Sequence, residues 1–192
     1  MAMNSDAVLL AAKGYIFTAP VGTPAPDYTE IESFTDGSSL TGWDNVGHTS
    51  RDELPVFGFD GGDTETLGSW QASALKTVVT ETPVDYVTFN LLQFDEAALE
   101  LYYGVENSST ETGVFSVDDA SVEATERALL IVLVDGDLKI AFHAARTAIR
   151  REAEMELAVD ALAMLPLRAT FLKYENEPLF SWINGDLYNQ GS

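Results

Sequence analysis

A run of seven apolar residues, followed by a turn signal and a second strand-like segment, constrains the fold more than any other feature of the chain. The run covers residues 128–134, Asp135 and Gly136 follow it, and residues 137–143 return as a strand. Asp-Gly is a preferred pair in two-residue hairpin turns of type I′. A strand that is apolar along its whole length is buried on both faces, because a strand with one solvated face alternates. We therefore predict a β-hairpin whose first strand lies centrally in a sheet or is covered by another subunit.

Other strands are predicted by β-branched and aromatic residues and by alternation. The clearest is residues 84–92, in which the even-numbered positions 84–90 lie on one face and the odd-numbered positions 85–91 on the other. Shorter or weaker strands are expected at residues 15–18, 77–82, 112–117 and 167–174.

One short helix is predicted directly after the strand at 84–92. Asp95 is placed to act as its N-cap, and Glu96 lies at the positive end of the helix dipole. Residues 97–103 are mostly good helix formers, and Gly104 supplies the stop. A helix of two to three turns is too short to be stable alone in water, so we expect it to pack on a sheet.

Residues 145–160 fit two secondary structures. Their alternation favours a strand, which would place Glu152, Glu154 and Glu156 on one face. Their content of Ala, Arg, Glu, Met and Leu also suits a helix, so this alternative stays open.

The rest of the chain is rich in loops. Three prolines within residues 20–26 enforce an extended or turning path, and residues 27–74 contain little sustained periodicity. Loops of this length are usually functional or are ordered by a partner. Residues 175–192 form a polar tail in which Trp182 and Tyr188 are possible anchors. The sum is a mainly β protein: one domain over residues 1–192, an antiparallel β-sandwich or barrel with one short flanking α-helix and long loops. It has an extended, loop-rich region at 1–74 and a C-terminal extension at 175–192.

The charge of the chain excludes several classes of partner. The chain has 31 Asp and Glu residues against 10 Lys and Arg, a formal net charge of -21. Surfaces that grip nucleic acid or anionic membranes need clustered Lys and Arg, so both are excluded as binding partners. The chain has no cysteine, which excludes disulfides and thiolate metal sites. No signal or membrane segment is visible, so we expect a soluble protein that is intracellular where it is made.

The residues that usually carry chemistry form no recognisable active site. His48 and His143 are far apart in sequence, and no Gly-x-Ser-x-Gly or phosphate-binding glycine motif accompanies them. The acidic, glycine-rich residues 60–65 lack the spacing of a calcium-binding loop, so a turn is the simpler interpretation. We therefore expect no enzymatic activity, no cofactor and no dedicated metal site.

Four segments, in order, resemble the major tail tube proteins of bacteriophages with long, non-contractile tails, particularly those that infect actinobacteria. They are Gly-Tyr-Ile-Phe-Thr-Ala-Pro-Val-Gly-Thr-Pro-Ala-Pro at 14–26, Gly-Trp-Asp-Asn-Val-Gly-His-Thr-Ser at 42–50, Leu-Glu-Leu-Tyr-Tyr-Gly at 99–104 and Ala-Met-Leu-Pro-Leu-Arg-Ala-Thr-Phe at 163–171. The resemblance covers nearly the whole chain, and it depends on the order and spacing of the segments more than on any single one.

The resemblance implies a β-sandwich with a flanking helix and long loops. It also implies hexameric rings that stack into a hollow tube in the virion tail, with an inner wall built of strands from six subunits. The implied partners are other copies of the chain, a tape-measure protein, a tail terminator and baseplate or distal tail proteins. Double-stranded DNA would pass through as cargo without being bound, and assembly would take place in the cytoplasm of the host bacterium.

Specific residues follow from this resemblance as hypotheses. Glu152, Glu154 and Glu156 are expected to line the lumen, although an outer solvated face is an equally simple location for them. The large side chains of the loop-rich regions are expected to contact neighbouring subunits or rings: Trp43, Trp70, Phe57, Phe59 and Trp182.

Three other functions stay open from the sequence. A tail terminator or head-decoration protein would be another virion β-sandwich. A carbohydrate-binding module would use exposed aromatic side chains, and a small hydrolase would need a nucleophile motif that the sequence does not show.

Overall fold

The computed structural model describes residues 3–104, 111–117 and 124–188. In these parts of the chain it contains ten strands, three short α-helices and a 3-10 turn at Ser5–Ala7. The strands are β1 (Lys13–Ala19), β2 (Asp44–Asn45), β3 (Val56–Asp60), β4 (Thr64–Leu67), β5 (Lys76–Val79), β6 (Val84–Leu91), β7 (Thr125–Asp135), β8 (Leu138–Arg151), β9 (Leu165–Phe171) and β10 (Ser181–Ile183). The helices are α1 (Tyr28–Glu32), α2 (Glu96–Tyr103) and α3 (Gly185–Tyr188).

Eight of these strands form one antiparallel sheet. Its order is β2-β1-β7-β8-β9-β6-β3, and β10 also pairs with β8. The sheet curls back on itself, because Phe57 of β3 and Phe142 of β8 lie three strands apart in this order and yet have ring centroids only 4.8 Å apart. The curled sheet encloses a core in the manner of a β-sandwich, as the sequence predicts. β4 and β5 form a separate two-stranded hairpin.

The apolar run of β7 is buried on both faces by its own chain. On one face, Leu129 and Ile131 belong to the main core, together with residues of β6, β8, β9 and α2. On the other face, Leu130 and Val132 belong to a second core, which the segment from α1 to Trp43 covers. Of the two explanations for the continuous hydrophobicity, the central position is therefore the one realised.

The β7–β8 hairpin is confirmed, but its turn differs by one residue from the prediction. Asp135 and Leu138 are strand partners, so Gly136 and Asp137 are the two turn residues. Gly136 has φ +60°, and Asp137 does not have a positive φ. This is the pattern of a type II′ turn, which takes glycine at its first central position, rather than of type I′.

Helix α2 forms as predicted. The side chain of Asp95 accepts a hydrogen bond from the Ala98 N–H, and the helix ends before Gly104, which has φ 101°. Ala98, Leu101 and Tyr102 enter the main core, so this short helix is stabilised by packing on the sheet. The structure adds two shorter helices, α1 and α3, to the one that the sequence predicts.

Several sequence predictions need correction. Residues 111–117 are not a strand, and the 118–123 segment lies outside the described residues. Strand β8 ends at Arg151, so residues 152–160 are neither the predicted strand nor the alternative helix. The 27–74 region, expected to be irregular, contains α1, β2, β3 and β4. In the C-terminal extension, β10 pairs with β8 and α3 follows, while residues 189–192 lie outside the described part of the chain.

Candidate assembly surfaces and channel face

Three of the five predicted contact residues meet at one aromatic patch, which consists of Phe57, Phe59, Phe180 and Trp182. Phe57 and Trp182 have ring centroids 5.4 Å apart, and both rings contact the buried Phe142. Phe180 contacts Phe142 at 5.5 Å. All four patch residues are exposed, and Phe59 shows 66% of its surface to solvent. Contiguous exposed apolar side chains of this kind make the patch a candidate interaction site.

Two open cavities lie beside the patch and share Phe57 and Trp182 in their walls. One holds about 250 Å³ and extends along Gly14, Leu54 and Leu133. The other holds about 210 Å³ and is lined by the patch and by Phe171. The patch is therefore a grooved surface rather than a flat one, and it is shaped to receive apolar side chains.

The fourth predicted residue, Trp70, lies on a separate projection. Strands β4 and β5 pair with each other, and in the described residues neither joins the main sheet. Every residue of both strands is exposed, including Leu67 and Val79, and Trp70 at the tip is 98% exposed. We call residues 61–83 the arm. A two-stranded hairpin is at best marginally stable by itself in water, so the arm is a candidate element for contact with a partner.

The fifth residue, Trp43, does not lie at the surface. It is only 6% exposed, belongs to the second core and packs edge-to-face on the ring of His143 at 5.6 Å. The subunit's own second core buries this side chain, so we leave Trp43 out of the assembly surfaces.

The sheet formed by β3, β6, β9 and the second half of β8 has one buried and one polar face. Val87, Phe89 and Leu167 point into the main core, whereas their neighbours Thr88 and Arg168 point outward. In the described part of the chain no helix or strand covers this polar face. It is the candidate for a channel wall.

Arg168 organises the polar face. Its guanidinium bonds to the carboxylate of Asp60, lies 3.5 Å from a carboxylate oxygen of Glu152 and stacks over the Tyr86 ring, 3.5 Å from the ring centroid. These contacts tie β3, β6 and β9 to the chain that leaves β8. Arg146 forms a second ion pair on this face, since it donates two hydrogen bonds to Glu126.

Arg150 lies directly opposite Arg168 across the β8–β9 pair and is exposed. Among the described residues no acidic side chain pairs with Arg150. The strands of the polar face therefore carry both signs of charge, and they are not uniformly acidic.

The three predicted lumen residues follow directly after β8. Glu152 remains near the polar face through Arg168. Glu154 and Glu156 lie in an irregular, exposed segment, so the single strand that was expected to align all three is not present. Whether they face a lumen stays a prediction.

The two histidines and the acidic, glycine-rich residues 60–65 are the candidates for chemistry that the sequence offers. His48 and His143 lie in different parts of the fold, and Nε2 of His143 is 3.1 Å from the Thr23 carbonyl oxygen. No group of three or more His, Asp or Glu side chains is placed to hold a metal among the residues described. Asp60, at the start of the acidic glycine-rich segment, is engaged by Arg168 instead.

Sequence reasoning missed Phe180 and the arginines of the polar face. Phe180 lies in a segment with no periodicity, so its sequence context contains no signal for a patch. The arginines do carry a signal, because Arg146, Arg150 and Arg168 are three of only ten Lys and Arg residues in the chain.

The protein is an antiparallel sandwich with a projecting arm, an exposed aromatic patch and a polar sheet face. These are the features of a structural subunit. A family model for phage tail tube proteins matches residues 1–192. The chain belongs to the phage tail tube protein family, which confirms the resemblance seen in the sequence, and it is a structural component of the virion tail.

Two relatives are similar to the chain over nearly its whole length. The chain is 49% identical over 193 residues to the major tail protein Gp23 of Mycobacterium phage D29, an alignment that covers 98% of this chain and 96% of that protein. It is 48% identical over 197 residues to the major tail protein Gp23 of Mycobacterium phage L5, with the same coverage. In the described ranges no helix has the length and apolar character needed to cross a bilayer.

Proposed function

We propose that this tail tube subunit assembles with itself into hexameric rings, which stack into a hollow tube that conducts double-stranded DNA. The observation that carries the proposal is the pair of apolar surfaces that the subunit leaves uncovered: the arm with Trp70 and the aromatic patch. A second copy of the chain supplies cover for both. Such contacts gain stability because apolar surface leaves water, at roughly 25 cal/mol per Å².

The polar face of β3, β6, β9 and β8 is the proposed inner wall of the tube. Strands that alternate between a packed face and a polar face are the construction of large barrels with a water-filled interior. Glu152, Glu154 and Glu156 lie at the end of this face and supply acidic side chains to the lumen. An acidic lumen suits a conduit, because phosphate contacts from Lys and Arg would hold the DNA in place.

The subunit is proposed to have no enzymatic activity and no cofactor. A tape-measure protein would occupy the lumen during assembly in the host cytoplasm, and a tail terminator and baseplate or distal tail proteins would contact the tube ends. Membership of the tail tube family supports this proposal over a tail terminator, a head-decoration protein or a carbohydrate-binding module.

Negative-stain microscopy of the purified protein tests self-assembly. We expect rings or tubes of uniform bore. The variants Phe59→Ser and Trp70→Ser should reduce the amount of tube about tenfold or more, because each removes an exposed apolar contact. Their folding should be unchanged, with circular dichroism and melting temperature close to those of the parent protein.

The control is Val114→Ser, which removes an exposed apolar side chain outside both surfaces. It should assemble normally. A parent protein that stays monomeric at high concentration would overturn the proposal, and normal tubes from both aromatic variants would overturn the role given to these two surfaces.

A further inference from the structure

The connection between β8 and β9, residues 152–164, has a strand-like sequence but does not form a strand in the subunit. It contains no glycine or proline, and it alternates: Ala153, Met155, Leu157 and Val159 on one side, Glu152, Glu154 and Glu156 on the other. Such alternation is typical of a strand. Nevertheless, the connection has no regular secondary structure in the subunit.

The connection begins as a continuation of the hairpin. Arg151 pairs with Leu167, and the Glu152 N–H donates to the Pro166 carbonyl oxygen at 3.0 Å. The first residues of the connection also lie on the faces that a continued strand would give them. Glu152 contacts Arg168 on the polar face, and Met155 packs against the main core on the other.

Regular structure ends where the core of the subunit ends. The Tyr102 hydroxyl donates to the Ala153 carbonyl oxygen at 2.9 Å, and Met155 packs against the main core, but residues 156–162 are all exposed. Leu157 is 77% exposed, and Val159 is likewise uncovered. A hairpin that extends into water with one apolar face gains too little to order its backbone.

The uncovered connection and the aromatic patch lie at opposite ends of the sandwich. The connection enters β9 at Leu165, whereas Phe171 at the far end of β9 contacts Phe180 of the patch. Seven strand residues separate these ends by about 20 Å. Two complementary surfaces at opposite ends make a head-to-tail contact, and a head-to-tail contact that does not close generates an open stack.

We propose that the aromatic patch of a second copy covers the connection and that this contact folds residues 152–164 into an extension of the β8–β9 hairpin. The inference rests on the proposed self-assembly and adds the stacking surfaces to it. The apolar side chains of Leu157 and Val159 enter the patch. Glu154 and Glu156 then lie on the polar face, in line with Glu152.

The register of the extension follows from the Glu152–Pro166 bond. Continuing it pairs Glu154 with Met164 and Glu156 with Leu162, so the Leu162 N–H donates to the Glu156 carbonyl oxygen. Proline at position 162 removes this donor, and alanine keeps it.

Comparison of Leu162→Pro with Leu162→Ala tests the folding step. Both variants should fold as subunits, since residue 162 is exposed and irregular there. We expect Leu162→Pro to form at least tenfold less tube than Leu162→Ala, because the two differ in the backbone donor. Equal assembly by the two variants overturns the extension.

Hydrogen exchange gives a second measurement on the parent protein. The amides of residues 153–163 should exchange quickly in the free subunit and at least tenfold more slowly in assembled tubes, with β7 protected in both. Tubes in which residues 153–163 exchange as quickly as in the subunit overturn the inference while leaving self-assembly intact. If the protein forms no tubes at all, the proposed self-assembly is itself overturned.

Cysteine cross-linking tests the docking surface. The chain has no cysteine, so Val159→Cys combined with Asp85→Cys introduces the only thiols and keeps all four patch aromatics. Asp85 is the strand partner of Phe59 and lines the same cavity beside the patch. Oxidised tubes of the double variant should give a ladder of covalent multimers, whereas Val159→Cys combined with Val114→Cys should not. Assembled tubes of the first pair that yield no ladder overturn the assignment of the patch as the partner surface.

Discussion

His143 is the clearest case of a single side chain that holds distant parts of the fold together. Its backbone lies between Leu130 of β7 and Ser181 of β10, and its ring contacts Trp43 and the Thr23 carbonyl oxygen. Burial lowers the pKa of His143 below its ordinary value of 6.5, and the Thr23 carbonyl and Glu177 act in the opposite direction. The folded protein therefore favours the neutral ring.

We predict that this histidine makes the subunit less stable in mild acid. Because its pKa is lower in the folded state, the unfolded chain takes up a proton first as the pH falls below about 6.5. The free energy of unfolding, measured by urea denaturation from pH 7.5 to pH 5.5, should fall through this window. His143→Gln should be less stable at pH 7.5 but should lose this pH dependence.

The parent protein and His143→Gln share all 31 acids. Changes in repulsion among these acids therefore alter the free energy of unfolding of both proteins equally. Identical pH dependence of the free energy of unfolding in the two proteins would contradict the assignment to His143.

At the scale of elements, local signals were sufficient for some segments and insufficient for others. Helix α2 and strands β6 and β7 follow from capping, alternation and continuous hydrophobicity, which act within a few residues. The prediction of strand β8 was correct up to Arg151 and wrong beyond it. Alternation in the sequence does not show where the core that covers a strand ends. The predicted strand at 112–117 had weak alternation and no neighbour to pair with in the described residues.

The N-cap of α2 gives a prediction at this scale. Asp95→Ala removes the hydrogen bond to the Ala98 N–H, and such changes cost about 1 kcal/mol. The free energy of unfolding should fall by that amount in urea denaturation. Asp52→Ala removes one exposed acid from a loop and should change the stability much less. Equal losses in the two variants would mean that net charge, rather than the cap, sets the effect.

For the whole molecule, the net charge of -21 is the property that a tube must accommodate. If the rings are hexameric, six copies at -21 each place a formal -126 on every ring. Several ion pairs lie on the polar face. Arg146 pairs with Glu126, and Arg168 pairs with Asp60 and Glu152. Glu154 and Glu156 are left as the acids nearest to the proposed lumen without such a contact among the described residues.

We predict that reversing these two charges hinders the passage of DNA. Phage particles that carry Glu154→Lys and Glu156→Lys should have tails of normal length and should release DNA more slowly, because lysine contacts phosphate. Glu152 is kept in this variant, since it contacts Arg168. The rate of DNA release from purified particles is the measurement.

The matched control carries Asp44→Lys and Asp52→Lys, two other exposed acids with the same total change in charge. Release at the parent rate by the Glu154 and Glu156 variant would place these residues outside the lumen.

The sequence alone was sufficient for the β7–β8 hairpin and helix α2, because each rests on residues close together in the chain. It was also sufficient for the fold class and the family resemblance, because the strand patterns and the order of the four segments can be read along the chain without knowing which residues are in contact. It also singled out Phe57, Phe59 and Trp182 as surface aromatics without showing that they meet. Only the tertiary structure brought these three together, buried Trp43 in the second core and separated the arm from the main sheet. These outcomes depend on which strands pair and where the sheet curls, and contacts between residues more than a hundred positions apart leave no local pattern in the chain.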